Sequence, residues 1–170
     1  MMMAGYEIAA IEARAAREAR ADIEDFHNLY CDTLDLGDLM QWPEFFTEDA
    51  LYVINSRENA EENMPAGLVY ADGRAMIRDR AFAIKNTMMF APRYLQHFVS
   101  NVMVLSIVGE QIRARSSYLL LQTLVESPTT IHQSGRYYDT FVRSGGRLLL
   151  KERYCIYDST LIANDLVMPV

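Results

Sequence analysis

The chain changes character at Pro92-Arg93-Tyr94-Leu95-Gln96-His97-Phe98-Val99-Ser100-Asn101-Val102, and that change constrains everything around it. Before it, apolar residues recur at helical spacing; after it, nearly every segment reads as strand. Proline drives the residue before it out of the helical region, so Ala91-Pro92 ends the preceding helix. Beyond it, Phe98, Val99, Val102, Met103, Val104, Leu105, Ile107 and Val108 put apolar side chains on both faces of a long strand, which then needs cover on both sides. The residues before Pro92 have to supply that cover.

They do so as helices. Ile8, Ile11, Ala15, Ala19, Ile23, Phe26 and Tyr30 are spaced by three and four, which predicts one helix over about 7–32 with Glu12, Arg14, Arg17, Glu18, Arg20 and Glu24 on its other faces. Asp35-Leu36-Gly37-Asp38 breaks it. Asp38 is the expected N-cap of a second helix over about 39–47, carrying Leu39, Trp42, Phe45 and Phe46 inward, with Pro43 in the first turn and Thr47-Glu48-Asp49 closing it. Leu51–Ile54 and Leu68–Tyr70 read as short strands, separated by a polar excursion from Asn55 to Pro65. A connection that long in a compact unit usually has a task. Asp72 is the expected cap of a third helix over about 73–90, with Met76, Ile77, Arg80, Ala83, Ile84 and Thr87 inward and Met88-Met89-Phe90 at its buried end or as an exposed contact.

The remainder reads as an antiparallel meander with strands over about 97–108, 111–125, 131–143 and 147–157, because Gly109-Glu110 and Gly145-Gly146 make connections too short for parallel crossovers. Helices first and strands later define an α+β class, with the helices on one face of a curved, mainly antiparallel sheet. That element order matches the cone of the cystatin-like and nuclear-transport-factor-2-like group. At 170 residues, 51% of them hydrophobic, the chain is the size of one unit, 1–170, with a sizeable core.

A formal charge of −7 with no basic cluster argues against nucleic acid and anionic membrane as partners. Cys31 and Cys155 lie far apart without metal spacing, and no apolar run reaches membrane-spanning length, so the expectation is a soluble cytoplasmic protein without disulfides. No two of His27, His97 and His132 stand at i, i+4, and no phosphate-cradling or nucleophile-elbow motif occurs. No metal or cofactor site is expected in this chain. His97 on the first long strand could act as a general base with Asp49, Tyr30 or Tyr154 nearby, or anchor a buried network or an interface. His27 suits the end of the first helix, and His132 a solvated edge. Tyr137, Tyr138, Tyr154 and Tyr157 on neighbouring strands suit an aromatic pocket or ordinary cross-strand packing. Arg57-Glu58-Asn59 forms a solvated loop or a contact surface. Arg93, His97 and Asn101, four apart, share one strand face and read as a subunit contact or a satisfied network.

Gln41-Trp42-Pro43-Glu44-Phe45-Phe46-Thr47, Arg57-Glu58-Asn59 with Pro65, Asp79-Arg80, Pro92–His97 with Ser100-Asn101, and Tyr157-Asp158-Ser159-Thr160-Leu161 through Pro169 together resemble the small (beta) subunit of bacterial aromatic-ring-hydroxylating dioxygenases. The likeness runs from about Phe26 onward and leans toward the branch acting on aromatic carboxylates. It implies a cystatin-like cone without a cofactor of its own. It further implies a Rieske-type large (alpha) subunit carrying the [2Fe-2S] cluster and mononuclear iron, and self-association as a trimer within an alpha3beta3 hexamer. Several relatives carry Arg-x-Arg-His where this chain has Tyr94-Leu95-Gln96-His97, so the resemblance implies no subunit contact through that arginine here. The competing expectation is a free-standing isomerase or dehydratase of the same fold, working through a pocket His, Asp or Tyr.

Overall fold

A computed structural model describes residues 5–64, 67–87, 89–159 and 168–170. The elements are α1 (Ala13–Asp35), a 3-10 turn (Trp42–Phe45), β1 (Phe46–Ser56), α2 (Arg57–Glu61), β2 (Val69–Asp72), α3 (Arg74–Asn86), β3 (Arg93–Val108), β4 (Gln111–Leu124), β5 (Thr130–Ser144) and β6 (Arg147–Tyr157). The strands form one mixed sheet in the order β2-β1-β6-β5-β4-β3. The expected meander β3 to β6 is antiparallel throughout, and β1 returns parallel to β6 at the centre. The sheet curves around α1 and α3, giving the expected α+β class.

Helix α1 starts six residues later than its apolar spacing predicts. Glu12 is the cap: its carboxylate accepts the amides of Arg14 and Ala15 at 2.8 and 2.7 Å, which also holds its pKa below the usual range. The residues before it are drawn off to the sheet edge, where the Ala9 amide donates to Leu105 O at 2.8 Å. Ile8 is therefore exposed rather than on the buried stripe. At the other end the helix runs a turn further, to Asp35, and buries Leu34.

The expected second helix is only the Trp42–Phe45 turn, with Gln41 rather than Asp38 at its cap and Pro43 in its first turn. Phe46 is already extended (φ −113°, ψ 151°), and Thr47-Glu48-Asp49 belong to β1, which is eleven residues long. Tertiary packing overrides the local reading here. Phe45 meets Phe26 and Tyr30 edge-on at 5.4 and 5.3 Å, Trp42 meets Tyr52 at 5.3 Å, and Phe46 pairs with Leu150 of β6.

The polar excursion is partly ordered by α2, capped by Ser56, whose Oγ accepts the Asn59 amide at 3.1 Å; Pro65 lies outside the described residues. Helix α3 is capped at Gly73 (φ +88°), not Asp72, and its buried stripe is Ile77, Ala81 and Ile84. Met76 and Thr87 face outward, and the helix ends at Asn86, leaving Met89 fully exposed while Phe90 lies under the Arg93 guanidinium. Strand β3 starts at Arg93, four residues before the expected entry at His97.

Candidate functional site

The residues offered as an acid–base set do not meet. Asp49 is exposed on β1, held by the Thr47 hydroxyl at 2.8 Å, a bond that is the main cause of its lowered pKa. Tyr30 is fully buried and receives the Trp42 indole N–H at 2.9 Å. Tyr154 lies on the opposite, outer face of the sheet, opposite Tyr138 and edge-on to Tyr6. His97 turns inward to the end of α1. Its Nδ1 lies 2.6 Å from Asp35 Oδ1, and its amide donates to Asp35 Oδ2 at 2.9 Å. One carboxylate thus clamps both the ring and the main chain of His97, tying α1 to β3. We expect Asp35→Ala to strand a buried ring nitrogen and an amide and to cost about 1–3 kcal/mol in urea unfolding.

The row Arg93, His97, Asn101 is broken by a bulge between Ser100 and Met103, where Asn101 takes φ +55° and becomes exposed. Arg93 is half-buried and donates to Gln122 Oε1 at 3.1 Å, while His97 is buried on the inner face. Asn101 no longer shares that face.

A different cluster occupies the concave interior. Arg153 of β6, wholly buried, donates to both oxygens of Asp139 on β5 at 2.9 and 2.8 Å, and its Nη2 lies 3.2 Å from His27 Nδ1 on α1. The guanidinium is sandwiched between the rings of Tyr30 and Tyr137, 4.4 and 4.1 Å from their centroids. Because Nδ1 of His27 accepts from Arg153, its ring proton sits on Nε2, which faces Ser116 Oγ at 3.4 Å and Asp139 Oδ2 at 3.8 Å. Burial above all, with the Arg153 charge second, keeps the His27 pKa well below its usual value, so the ring is neutral. Burial also raises the Asp139 carboxyl, but the facing guanidinium opposes that rise, and Asp139 in turn holds Arg153 charged; the pair is ionic.

The folded pKa of His27 lies below its unfolded value of about 6.5, so the unfolded chain binds the extra proton as pH falls. Stability is then full above pH 6.5 and declines below it, with a limiting slope of about 1.4 kcal/mol per pH unit from this one group. His27→Gln removes that slope; urea midpoints at pH 7.5, 6.5 and 5.5 measure it.

None of this cluster was among the sequence candidates except Tyr30 and Tyr137, with His27 read only as a helix-end charge. Strict alternation from Leu150 would put Glu152 inside and Arg153 outside. An irregularity between Leu150 and Glu152 reverses the faces. Among the described residues no group of three or more His, Cys, Asp or Glu is placed to hold a metal ion, and both cysteines are free and buried.

The outer face carries a second feature. Tyr6 packs on Tyr138 and Tyr154, and the Gly5 carbonyl accepts from Arg113, so the first described residues cover one end of that face. At the other end Phe98 lies opposite Leu119, and Leu121 opposite Ile131, with Tyr94 on the same side of β3. Tyr94, Phe98 and Ile131 are 75, 47 and 68% exposed. Scattered apolar residues are ordinary on a surface, whereas these lie together across three neighbouring strands. At the edge by α2, an open groove of about 260 Å³ is lined by Arg57, Glu61, Arg136, Tyr138 and Asp158, with Arg57 paired to Asp158. Glu58 stands in the first turn of α2.

A curved mixed sheet enclosing helices, with an ionic interior and a bare outer face, places the molecule in the cystatin-like and nuclear-transport-factor-2-like class. Within that class, residues 31–164 match the family model described as ring hydroxylating beta subunit, and the chain belongs to that family. It is 32% identical over 149 residues to the small subunit of anthranilate 1,2-dioxygenase from Burkholderia cepacia, covering 88% of this chain and 92% of that one. It is 30% identical to a beta subunit of the terminal oxygenase component of terephthalate 1,2-dioxygenase from Comamonas sp., covering 87 and 96%. A crystal structure of the beta subunit assigned to an aromatic-ring-hydroxylating dioxygenase of Novosphingobium aromaticivorans superposes with a TM-score of 0.83 at 35% identity, covering 91% of this chain and 98% of that one. Among the described residues no helix is long and apolar enough to cross a membrane.

Proposed function

We propose that this chain is a non-catalytic, cytoplasmic subunit of a multicomponent aromatic-ring-hydroxylating dioxygenase, supporting assembly of an iron-containing large subunit in aromatic compound breakdown. The observation that carries the reading is the family match across 31–164, joined by relatives of nearly equal length. In this reading the Rieske [2Fe-2S] cluster and the mononuclear iron belong to the large subunit, and the complex is an alpha3beta3 hexamer. The anthranilate and terephthalate relatives favour an aromatic carboxylate as substrate of the whole complex.

The contact surfaces follow from exposure. Tyr94, Phe98 and Ile131 on the outer face meet one neighbour. Arg57, Glu58 and Asn59 around α2, together with Asn101 at the bulge and Arg93 at the start of β3, are the polar contacts. The His97 ring is buried, so its part is to hold Asp35 and β3 in place for such a contact rather than to touch the partner itself. The dispersed positions of Asp49, Tyr30, Tyr154 and His97 weigh against the isomerase or dehydratase reading that used them.

Co-expression with a Rieske-type large subunit tests the proposal. A stable complex of about 1:1 composition that shows the cluster's visible absorbance is the expected result. A chain that elutes alone beside every such large subunit of its own operon overturns it.

A further inference from the structure

The segment Met168–Val170 belongs to no helix or strand, yet Pro169 and Val170 are buried, Val170 completely. Three side chains from three elements converge on the main-chain oxygen of Val170: Tyr30 of α1 at 3.3 Å, Tyr52 of β1 at 3.1 Å and Cys155 of β6 at 3.7 Å. The Val170 amide donates back to the Tyr52 hydroxyl at 2.9 Å. The interior also holds buried side-chain atoms with no hydrogen-bond partner among the described residues, Arg153 Nη1, the Tyr137 hydroxyl and Gln133 Nε2. A buried donor left without an acceptor costs free energy, so such groups call for an explanation.

The balance of donors and acceptors gives the chemistry. Asp139, the one buried acidic side chain among the described residues, is already occupied by two bonds from Arg153. Tyr30 and Tyr52 spend their hydroxyl protons on the one oxygen of Val170, and Arg153 Nη1, the Tyr137 hydroxyl and Gln133 Nε2 are left as further donors. Without Pro169-Val170 these donors would face a space walled by apolar side chains, a setting that recognises an acceptor oxygen on an apolar body.

We infer that Pro169-Val170 fills a binding site in the cone as a tethered internal ligand, and that with this segment withdrawn the site takes a small apolar molecule presenting a carboxylate or carbonyl oxygen to Tyr30 and Tyr52. The site lies inside the chain and does not depend on any partner subunit. Trp42, the single tryptophan, donates to Tyr30 and reports its occupancy.

The experiment compares the full chain with a variant truncated after residue 167, probed with benzoate and benzamide, which share a ring and differ in the charge on the acceptor. In the truncated variant, a probe at ten times its dissociation constant raises the melting temperature by roughly 3–6 °C and shifts Trp42 emission, while the full chain moves by less than about 1 °C. Benzoate as the stronger probe assigns the site to carboxylates, and benzamide to neutral carbonyls. Tyr52→Phe in the truncated background abolishes the shift, and N-acetyl-Met-Pro-Val added in trans competes with the probe. Should truncation prevent folding, Val170→Gly in the full chain loosens the segment while keeping its main chain, and the same probe shift is expected there. The inference is overturned if neither variant responds to either probe, or if the response survives Tyr52→Phe.

Discussion

Arg153→Ala is expected to lower stability by about 3–5 kcal/mol, the range for removing one partner of a buried ion pair. The reason lies in what is left behind. Asp139 is 1% exposed and accepts two charged hydrogen bonds from Arg153, one on each oxygen, while the nearby His27 ring is neutral, so the substitution strands a carboxylate in the core. It also removes the cation between Tyr30 and Tyr137 and the donor facing His27 Nδ1. For a chain of this size the melting temperature should fall by roughly 6–20 °C. Arg153→Lys keeps the charge but not the two-pronged geometry, and falls between. Replacing both partners, Arg153→Met with Asp139→Leu, recovers most of the loss, because an apolar pair of similar volume leaves no orphan charge. A loss below about 1 kcal/mol for Arg153→Ala would mean that the pair is not the centre of the interior.

The same residue explains why the interior was hidden in the sequence while the sheet was not. Strands β4, β5 and β6 begin and end within a residue of their expected limits, because Gly109-Glu110 and Gly145-Gly146 fix the turns chemically. Inward and outward faces are a harder matter, since a single bulge exchanges them. One between Leu150 and Glu152 brings Arg153 inside, and one between Ser100 and Met103 sends Asn101 out. The start of α1 departs from its apolar spacing for a related reason: the spacing of Ile8 and Ile11 is real, but the edge of β3 competes for the same backbone through the Ala9 to Leu105 bond. Asp35 read as a helix breaker, and only the fold brings it to His97, 62 positions away. The family likeness, carried by residues spread along the chain, was legible where these contacts were not, because it does not depend on which face a side chain takes.

Phe98→Asp is expected to abolish assembly with the large subunit or with further copies of this chain while leaving the fold intact. Phe98 is 47% exposed, so a charge there costs the isolated chain little; the melting temperature should move by no more than about 1–2 °C. Its value lies in the contact. Phe98 sits with Leu119, Leu121 and Ile131 in one apolar area across β3, β4 and β5, and the segment carrying Tyr6 and Ala9 covers only the far end of that face. Aromatic residues at the centre of such an area carry a large share of binding energy, and losing one costs 2 kcal/mol or more, about a 30-fold fall in affinity. Burying a carboxylate against a partner's apolar surface adds a further penalty. Size-exclusion chromatography of the co-expressed pair reads the outcome, with Arg57→Ala at the α2 groove as the comparison. Loss of the complex in Phe98→Asp, with Arg57→Ala retaining it, puts the principal contact on the outer face. The opposite pattern moves it to the groove by α2, where Arg57 pairs with Asp158. A complex that survives both substitutions at wild-type affinity removes these two surfaces from consideration and leaves the polar positions at Arg93 and Asn101 to be tried by the same measurement.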